Sequence, residues 1–377
     1  MYRKTYVEIN TENLKYNVSA LISKYPNYGY YIGVVKGNVY GHGSKSVKYL
    51  VESGINYLAV SSLEEASSIR KEGINTSILL LQPIHLEEIS VAIKNDITIT
   101  ISNYDYFKKL VTQNFEKELK IHLKINSGFN RLGISNKEHV KEIFETLKQN
   151  KNFKLEGIYS HFMTSGRNDN YFDNQVKAFK EITSLVNLKE IPIVHLDRSL
   201  TLTSHEKFDF CTGMRVGIAM YGYNQAPQKQ TGLKAKIKNL IFPKKSVSIA
   251  PEKLLPAFGL YSEVIEINKV KKGELVGYGA KFIAQKDCVL ACIPVGYADG
   301  FFRKNRNGFV SINEKRYQIT TVDMNMITLL IDEGVKLYDK VEIFGQTISV
   351  KEVAQRNETI IYEILCAIKE SVPRVFK

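Results

Sequence analysis

Apolar runs of strand length recur through the first part of the chain, at Tyr30–Lys36, Tyr57–Ser62, Ser77–Pro83, Ile97–Asn103, Ile121–Asn126, Leu155–Phe162, Pro192–Leu196 and Met214–Tyr221. The first is β-branched and apolar enough to be a buried strand. Helical patterns lie between the runs. Ser62-Leu63-Glu64-Glu65 is a capping box, Ala66 and Ile69 continue its apolar stripe, and Gly73 stands where that helix should end. Val47, Leu50 and Val51 form a similar stripe before Gly54. Both helices run into the same tripeptide, Gly54-Ile55-Asn56 and Gly73-Ile74-Asn75, as if one βα unit were used twice. Val140, Ile143, Phe144 and Leu147 mark another helix, and Phe172, Val176, Phe179 and Ile182 a further one. Strands alternating with helices predict parallel pairing and an α/β fold, a (β/α)8 TIM-like barrel. An open doubly wound sheet is the alternative. It should carry a glycine-rich dinucleotide turn after its first strand, and that turn is missing.

After Gln225 the rhythm changes. Pro227, Pro243, Pro251 and Pro256 punctuate a basic stretch, and shorter β-like segments follow at Glu263–Lys269, Glu274–Tyr278, Cys288–Val295, Phe309–Asn313, Gln318–Val322 and Lys340–Phe344. One helix near the end is predicted from Ile360, Ile361, Ile364, Leu365 and Ile368. The expected division is a barrel over residues 1–230 and a mainly β C-terminal domain over residues 231–377.

Composition narrows the class. The chain has 377 residues, 44% hydrophobic and 24% charged, enough for one large or two medium cores. No apolar run approaches the length of a membrane span, and the polar N-terminal segment does not read as a signal peptide. The four cysteines, Cys211, Cys288, Cys292 and Cys366, lack metal or disulfide spacing. They predict reduced thiols in a cytoplasmic protein and no metal site. The net charge of +13 favours anionic partners. Lys234, Lys236, Lys238, Lys244 and Lys245 are locally dense, but no helix-turn-helix, RNA-binding or zinc-finger pattern accompanies them. A solvated basic face is expected rather than nucleic-acid binding, with peripheral contact to a membrane surface left open.

The candidate chemistry begins in Val34-Val35-Lys36-Gly37-Asn38-Val39-Tyr40-Gly41-His42-Gly43. Lys36 closes the first apolar run, where burial would disfavour its ammonium and make it a Schiff-base nucleophile. A lone lysine at a strand end ordinarily just snorkels. Here the other unusual polar residues also fall at predicted strand ends, where barrel enzymes keep their catalytic groups. Lys124 ends the fifth strand, ahead of Ser127-Gly128-Phe129-Asn130-Arg131-Leu132-Gly133. His161 ends the sixth, Ser199 follows the seventh, and Arg215 begins the eighth, ahead of Val216-Gly217-Ile218.

With those residues in view, the chain resembles the alanine racemase family of pyridoxal-phosphate enzymes nearly end to end. VVKGNVYGHG is similar to the family's cofactor-lysine motif and LKINSGFNRLG to its substrate-arginine motif. GIYSHF, GMRVGIAMYG, GYGAKF, GYADGFFR and the terminal YEILC and VPRVF also match. The resemblance implies that Lys36 holds pyridoxal 5′-phosphate and serves as one proton-transfer base, with Tyr278 as the other. His161 and Arg215 would form a network beside that tyrosine, and Arg215 would face the pyridine nitrogen. Tyr40, Ser199, Gly217 and Ile218 would hold the phosphate, and Arg131 and Met324 would meet the amino-acid substrate. Lys124 resembles a lysine that is often carbamylated. The β domain, with Tyr278, Tyr297 and Met324, would complete the active site of the other subunit in a head-to-tail homodimer.

The implied function is interconversion of L- and D-alanine for peptidoglycan. Several positions depart from the family pattern. Asn325 stands for an aspartate, Glu370 for a tyrosine, Val216 for a proline and Arg198 for an asparagine, and Lys234–Pro256 is longer than usual. Arg198 would add a charge near the phosphate. Asn325 and Glu370 keep open a serine or broad-specificity racemase, including the catalytic part of a membrane-tethered serine racemase of glycopeptide resistance. A decarboxylase of the same fold would carry an acidic residue in place of Arg215. A non-catalytic cofactor-binding relative would lack the β domain.

Overall fold

The computed structural model describes residues 3–164, 170–202, 205–223 and 253–377. The expected boundary at 230/231, the lysine cluster from Lys234 to Lys245, and residues 234–252 of the long basic stretch lie outside the described residues. The chain forms two compact units. One comprises Leu14–Lys36 and Val47–Leu255; the other comprises residues up to Asn13, Gly37–Ser46 and Pro256–Lys377.

The strands are numbered in chain order from β1 (Tyr6–Ile9). Those of the first unit are β2 (Tyr30–Val34), β3 (Tyr57–Val60), β4 (Ile78–Leu80), β5 (Ile97–Ile101), β6 (Leu119–Lys124), β7 (Phe153–Tyr159), β8 (Ile193–His195) and β9 (Gly213–Val216). They pair in parallel in the order β8-β7-β6-β5-β4-β3-β2-β9. Between β8 and β9 an isolated bridge joins Arg198 and Arg215, and Thr212 N donates to Val194 O at 2.9 Å, so the barrel is nearly closed. Helices follow the strands because the sequence starts and stops them. Ser62 Oγ caps the helix Leu63–Lys71 by accepting from Glu65 N, while the Glu65 carboxylate turns back to Ser61 N at 2.8 Å. Asn56, after the repeated Gly-Ile, accepts from Tyr31 N and donates to Gly29 O, which ties its loop to β2.

The predicted strands appear in place, with one change of type. Met214–Tyr221 is a strand only to Val216. Gly217 adopts φ −125°, ψ −109°, and Ile218–Tyr221 turn as a fully buried 3₁₀ segment.

The second unit is built on an antiparallel-rich nine-stranded sheet. It contains β1, β10 (Phe258–Glu263), β11 (Glu266–Val270), β14 (Cys288–Ile293), β15 (Phe309–Ile312), β16 (Lys315–Val322), β17 (Ile327–Ile331), β18 (Lys340–Phe344) and β19 (Arg374–Phe376). A separate ribbon joins β12 (Leu275–Val276) and β13 (Phe282–Ile283). The predicted terminal helix appears as Ile361–Ala367, and a further helix, Val350–Arg356, precedes it, capped by Ser349 and separated from it by Glu358 at φ +56°.

Residues Gly37 to Tyr40 form one turn of left-handed helix, with φ between +51° and +64°. Asn tolerates this region, but β-branched Val39 does so at a cost of about 1–2 kcal/mol. The turn is pinned inside its own unit. Arg374 Nε donates to Gly41 O at 3.0 Å, and its two terminal nitrogens go to the carbonyls of Ile368, Lys369 and Val372. A Cβ on Gly41 (φ +81°) would lie 2.2 Å from Leu365 O. Gly41→Ala should therefore destabilise the protein by about 3 kcal/mol or more, from backbone strain and overlap together. Urea unfolding checks this; a loss under about 1 kcal/mol would show that the turn is free to relax.

Candidate active site

Within the barrel unit, the polar residues singled out in the sequence gather at the C-terminal ends of the strands, around Arg215. This side chain, third in β9, is 3% exposed. One terminal nitrogen contacts His195 O at 2.7 Å and His195 Nδ1 at 2.6 Å. The other donates to Ser160 O at 2.7 Å and Leu196 O at 2.9 Å, and lies 3.4 Å from His161 Nδ1. Among the described residues none of these partners is a carboxylate. Burial lowers its pKa to about 10, so it remains a cation at neutral pH.

Lys124, the last residue of β6, is buried with Nζ 4.6 Å from the Tyr159 ring centre. Burial, then Arg215, Arg131 and Lys36, lower its pKa from 10.5 to about 7. His161 is pushed down to about 2 by burial and by Arg215, Arg198, Lys124 and Arg131, and stays neutral. Lys36 differs from the sequence expectation. β2 ends at Val34, Val35 N makes a last bond to Ala59 O at 2.9 Å, and Lys36 beyond it is exposed. The lysine in the dry environment is Lys124.

Arg131 sits on a loop that closes on itself. Asn126 Oδ1 accepts from Gly128 N and Asn130 N, and Ile134 N returns to Lys124 O at 2.9 Å. Gly133 (φ +124°) is needed there, since a Cβ would lie 2.5 Å from Asn126 N. The loop puts Arg131 over the Phe129 ring at 4.4 Å and Phe129 against His161 at 5.4 Å. Ser199 Oγ accepts from Gly217 N at 3.2 Å, which brings Ser199, Gly217 and Ile218 to one place. Arg198 turns its guanidinium to Phe162 O (3.2 Å) and Thr164 O (3.1 Å), fixing the loop that carries His161.

Sequence reading missed Gln175, which grips the same loop through Met163 N (2.9 Å) and His161 O (3.1 Å). Its buried place on the apolar stripe of helix Asn170–Ile182 was the available signal.

The second unit carries the other candidates. Tyr40 ends the left-handed turn, buried, 5.6 Å from the Tyr362 ring. His42 is buried beside it, its Nδ1 held by Val39 O and Tyr40 O at 3.0 Å, and burial lowers its pKa to about 4. Tyr278 is 83% exposed on a loop shaped by Gly277 and Gly279, both at positive φ. Tyr297, Met324 and Met326 are exposed as well. Backbone bonds from Tyr297 N to Asp323 O and Ala298 N to Met324 O join their loops, and Gly277 packs on Thr321. Exposed Tyr278, Tyr297, Met324 and Met326 thus lie on neighbouring loops that also expose Lys281 and Asn325.

The model of the alanine racemase N-terminal domain matches residues 9–225, and that of the alanine racemase C-terminal domain residues 257–376. "Alanine racemase 1" of Bacillus subtilis is 32% identical over 100% of the chain and 93% of its own length. The alanine racemase of Anoxybacillus flavithermus is 33% identical, covering 100% and 95%. The alanine racemase structure from E. faecalis superposes with TM-score 0.89 at 28% identity, covering 100% and 99%. That from Bacillus anthracis with bound L-Ala-P gives 0.87 at 32%, covering 100% and 96%.

The Lys124 environment generates a stability prediction. Its folded pKa lies below its unfolded value, so between about pH 7 and 10.5 the unfolded chain binds more protons. The group thus costs stability in full below pH 7, and the cost fades as pH rises to 10.5. In buffer free of carbon dioxide, Lys124→Met should be more stable than wild type at pH 7 by about 1 kcal/mol or more. The gap should narrow toward pH 10. Urea titrations at several pH values check this; a constant gap would refute it.

Proposed function

The chain belongs to the alanine racemase family, and we propose that it interconverts L- and D-alanine with pyridoxal 5′-phosphate, supplying D-alanine for peptidoglycan in a bacterial cytoplasm. The observation that carries this reading is the convergence of Lys36, Lys124, Arg131 and Arg215 at one end of the barrel, close enough to depress Lys124 together. Such a cluster suits an anionic, phosphorylated cofactor. When bound, that cofactor supplies an electron sink for the charge left when the α-proton departs.

Lys36 carries the cofactor and works one face of the substrate. Its exposure leaves its amine accessible for both tasks. Ser199, the backbone N–H groups at Gly217 and Ile218, and Tyr40 hold the phosphate. Arg215 would lie toward the ring nitrogen of the cofactor. Having donors alone, it could not accept a proton there, which would keep the electron sink weak and favour racemisation over transamination. Neutral His161 lies beside Arg215. Arg131 and Met324 meet the substrate.

Tyr278 is the base for the opposite face, as two-base racemisation requires. Its exposure, with that of Tyr297 and Met324, supports delivery to a second copy in a head-to-tail homodimer. In this proposal Lys36, in the expected barrel span 1–230, and Tyr278, in the β span 231–377, come from different subunits at each site. No helix of the described residues is long and apolar enough to cross a membrane.

Lys124, with its amine neutral in part at pH 7, is nucleophilic toward carbon dioxide. Its nitrogen bonds the carbon and releases a proton, and the resulting carbamate anion, set among cations, positions Arg131. Labelled ¹³C-bicarbonate should give a carbamate resonance in wild type that Lys124→Met lacks. A signal persisting in the variant rejects the assignment.

Activity tests the whole reading. Wild type should racemise alanine fastest and serine measurably, since Asn325 on the exposed loop beside Met324 offers a partner for a hydroxyl. Tyr278→Phe should lower turnover about a hundredfold or more while retaining cofactor. Mixing inactive Lys36→Ala with inactive Tyr278→Phe subunits should restore activity through one wild-type site per dimer. No recovery after demonstrated exchange would mean that each site lies within one chain.

A further inference from the structure

A second polar structure fills the barrel interior behind Arg215 and has no part in the scheme above. It links Arg215 in β9, His195 in β8, His122 in β6 and Glu156 in β7, with Tyr57 of β3 and Thr98 of β5 beside the carboxylate. We propose that Glu156 is a positioning residue for Arg215, acting through a one-way chain of donors that passes through His195 and His122. Its catalytic consequence rests on the racemase reading; the chain itself does not.

The direction of the chain follows from the chemistry of its first member. An arginine has donors and no acceptor. His195 Nδ1, 2.6 Å from the Arg215 nitrogen, must therefore accept, and the imidazole proton lies on Nε2. That Nε2 is 3.0 Å from His122 Nδ1, so it donates there. The His122 proton is left on Nε2, which faces Glu156 Oε2 at 3.7 Å, a charge–dipole contact. The same carboxylate oxygen accepts from Tyr57 OH at 2.5 Å and Thr98 Oγ1 at 3.1 Å. Both imidazole protons point away from Arg215 and toward Glu156, the last across a gap in which His122 Nε2 makes no hydrogen bond.

The surroundings enforce this arrangement. Both imidazoles are fully buried, and burial together with Arg215 lowers their pKa values, so both stay neutral. Burial pushes Glu156 up, but its neighbours His122, Tyr57 and Thr98 prevail and hold it at about 2. Tyr159 stacks on His195 with ring centres 4.7 Å apart and 12° between planes. Gly157 leaves space for the His122 ring, since a Cβ there would lie 2.5–2.7 Å from three of its atoms.

The design separates orientation from neutralisation. A carboxylate in contact with Arg215 would cancel much of the positive field at the site. Set two imidazoles away, Glu156 meets at the far end the tautomers that Arg215 imposes at the near end, and so helps aim the guanidinium while leaving its charge in place. The reverse tautomers would set an Nδ1–H of His195 against an arginine donor, so the chain cannot invert without moving Arg215.

The experiment uses holoenzyme labelled with ¹⁵N-histidine. In wild type, long-range ¹H–¹⁵N spectra should show His122 and His195 as neutral Nε2–H tautomers, unchanged between about pH 6 and 9. An Nδ1–H tautomer at either one overturns the proposal without any variant. Glu156→Gln should mix the tautomers and lower kcat for L-alanine about tenfold, with KM within about twofold. Tyr57→Phe, which keeps the carboxylate, should preserve the tautomers and lose less than about threefold in kcat. A Glu156→Gln protein that loses stability but keeps both spectrum and kcat would make Glu156 structural and refute the proposal. Failure of wild type to racemise alanine would reject the functional reading, while the spectra still decide the chain.

Discussion

A guanidinium withdrawn from water must be surrounded by acceptors, and Arg215 dictates how the barrel closes. Left unpartnered, such a charge would cost several kcal/mol. Its donors go to the carbonyls of Ser160, His195 and Leu196 and to the His195 ring. Those carbonyls lie at the ends of β7 and β8, where β8 and β9 meet by an isolated bridge. The charge that the proposed chemistry needs is thus also what staples the last strand to the two before it. Removing it would disturb the seam as well as the site.

The field of that cation shapes its neighbours. Lys124, His161 and His195 are all pushed toward their neutral forms by burial and by Arg215. The barrel end thereby gains uncharged nitrogen groups near neutral pH without bringing in carboxylates. The acidic groups stand back. Glu156 is reached through two imidazoles, and Asp197, fully buried, is occupied by Tyr28 OH, Thr201 Oγ1 and His205 Nε2. Positive potential is preserved where an anion would sit, and its compensation is distributed through the core.

Much of this was legible in the chain. Eight apolar runs placed the barrel strands, because buried parallel strands need continuous apolar residues and short polar breaks. The polar residues at strand ends placed the site for the same reason. Four features were hidden. Ile218–Tyr221 looked like more strand, since periodicity cannot separate a buried 3₁₀ turn from a buried strand, and only the backbone at Gly217 decides. Strand β1 escaped because its partners β10 and β19 lie far away in sequence, whereas β17, which forms a hairpin with β16, was an apolar run passed over. Lys36 was expected in a dry environment but lies two residues beyond β2 and is exposed, whereas Lys124, the last residue of β6, is buried. The His122–His195–Glu156 chain carried no local signal, because each member sits on a different strand.

The left-handed turn after Lys36 shows how a local rule is broken and what sustains the break. Val39 and Tyr40 at positive φ cost about 1–2 kcal/mol each, while Asn38 tolerates the region. Burying Val39 and Tyr40 returns about 1.5–3 kcal/mol for each side chain. The His42 ring and Arg374 add bonds to the carbonyls of Val39, Tyr40 and Gly41. The two sides are similar in size, so the turn persists because its surroundings over-determine it rather than because its sequence prefers it. An isolated segment of this composition would unwind. The conformation of Tyr40, a residue proposed to meet the phosphate, is therefore a property of the C-terminal helix and of Arg374, more than three hundred residues away in the chain.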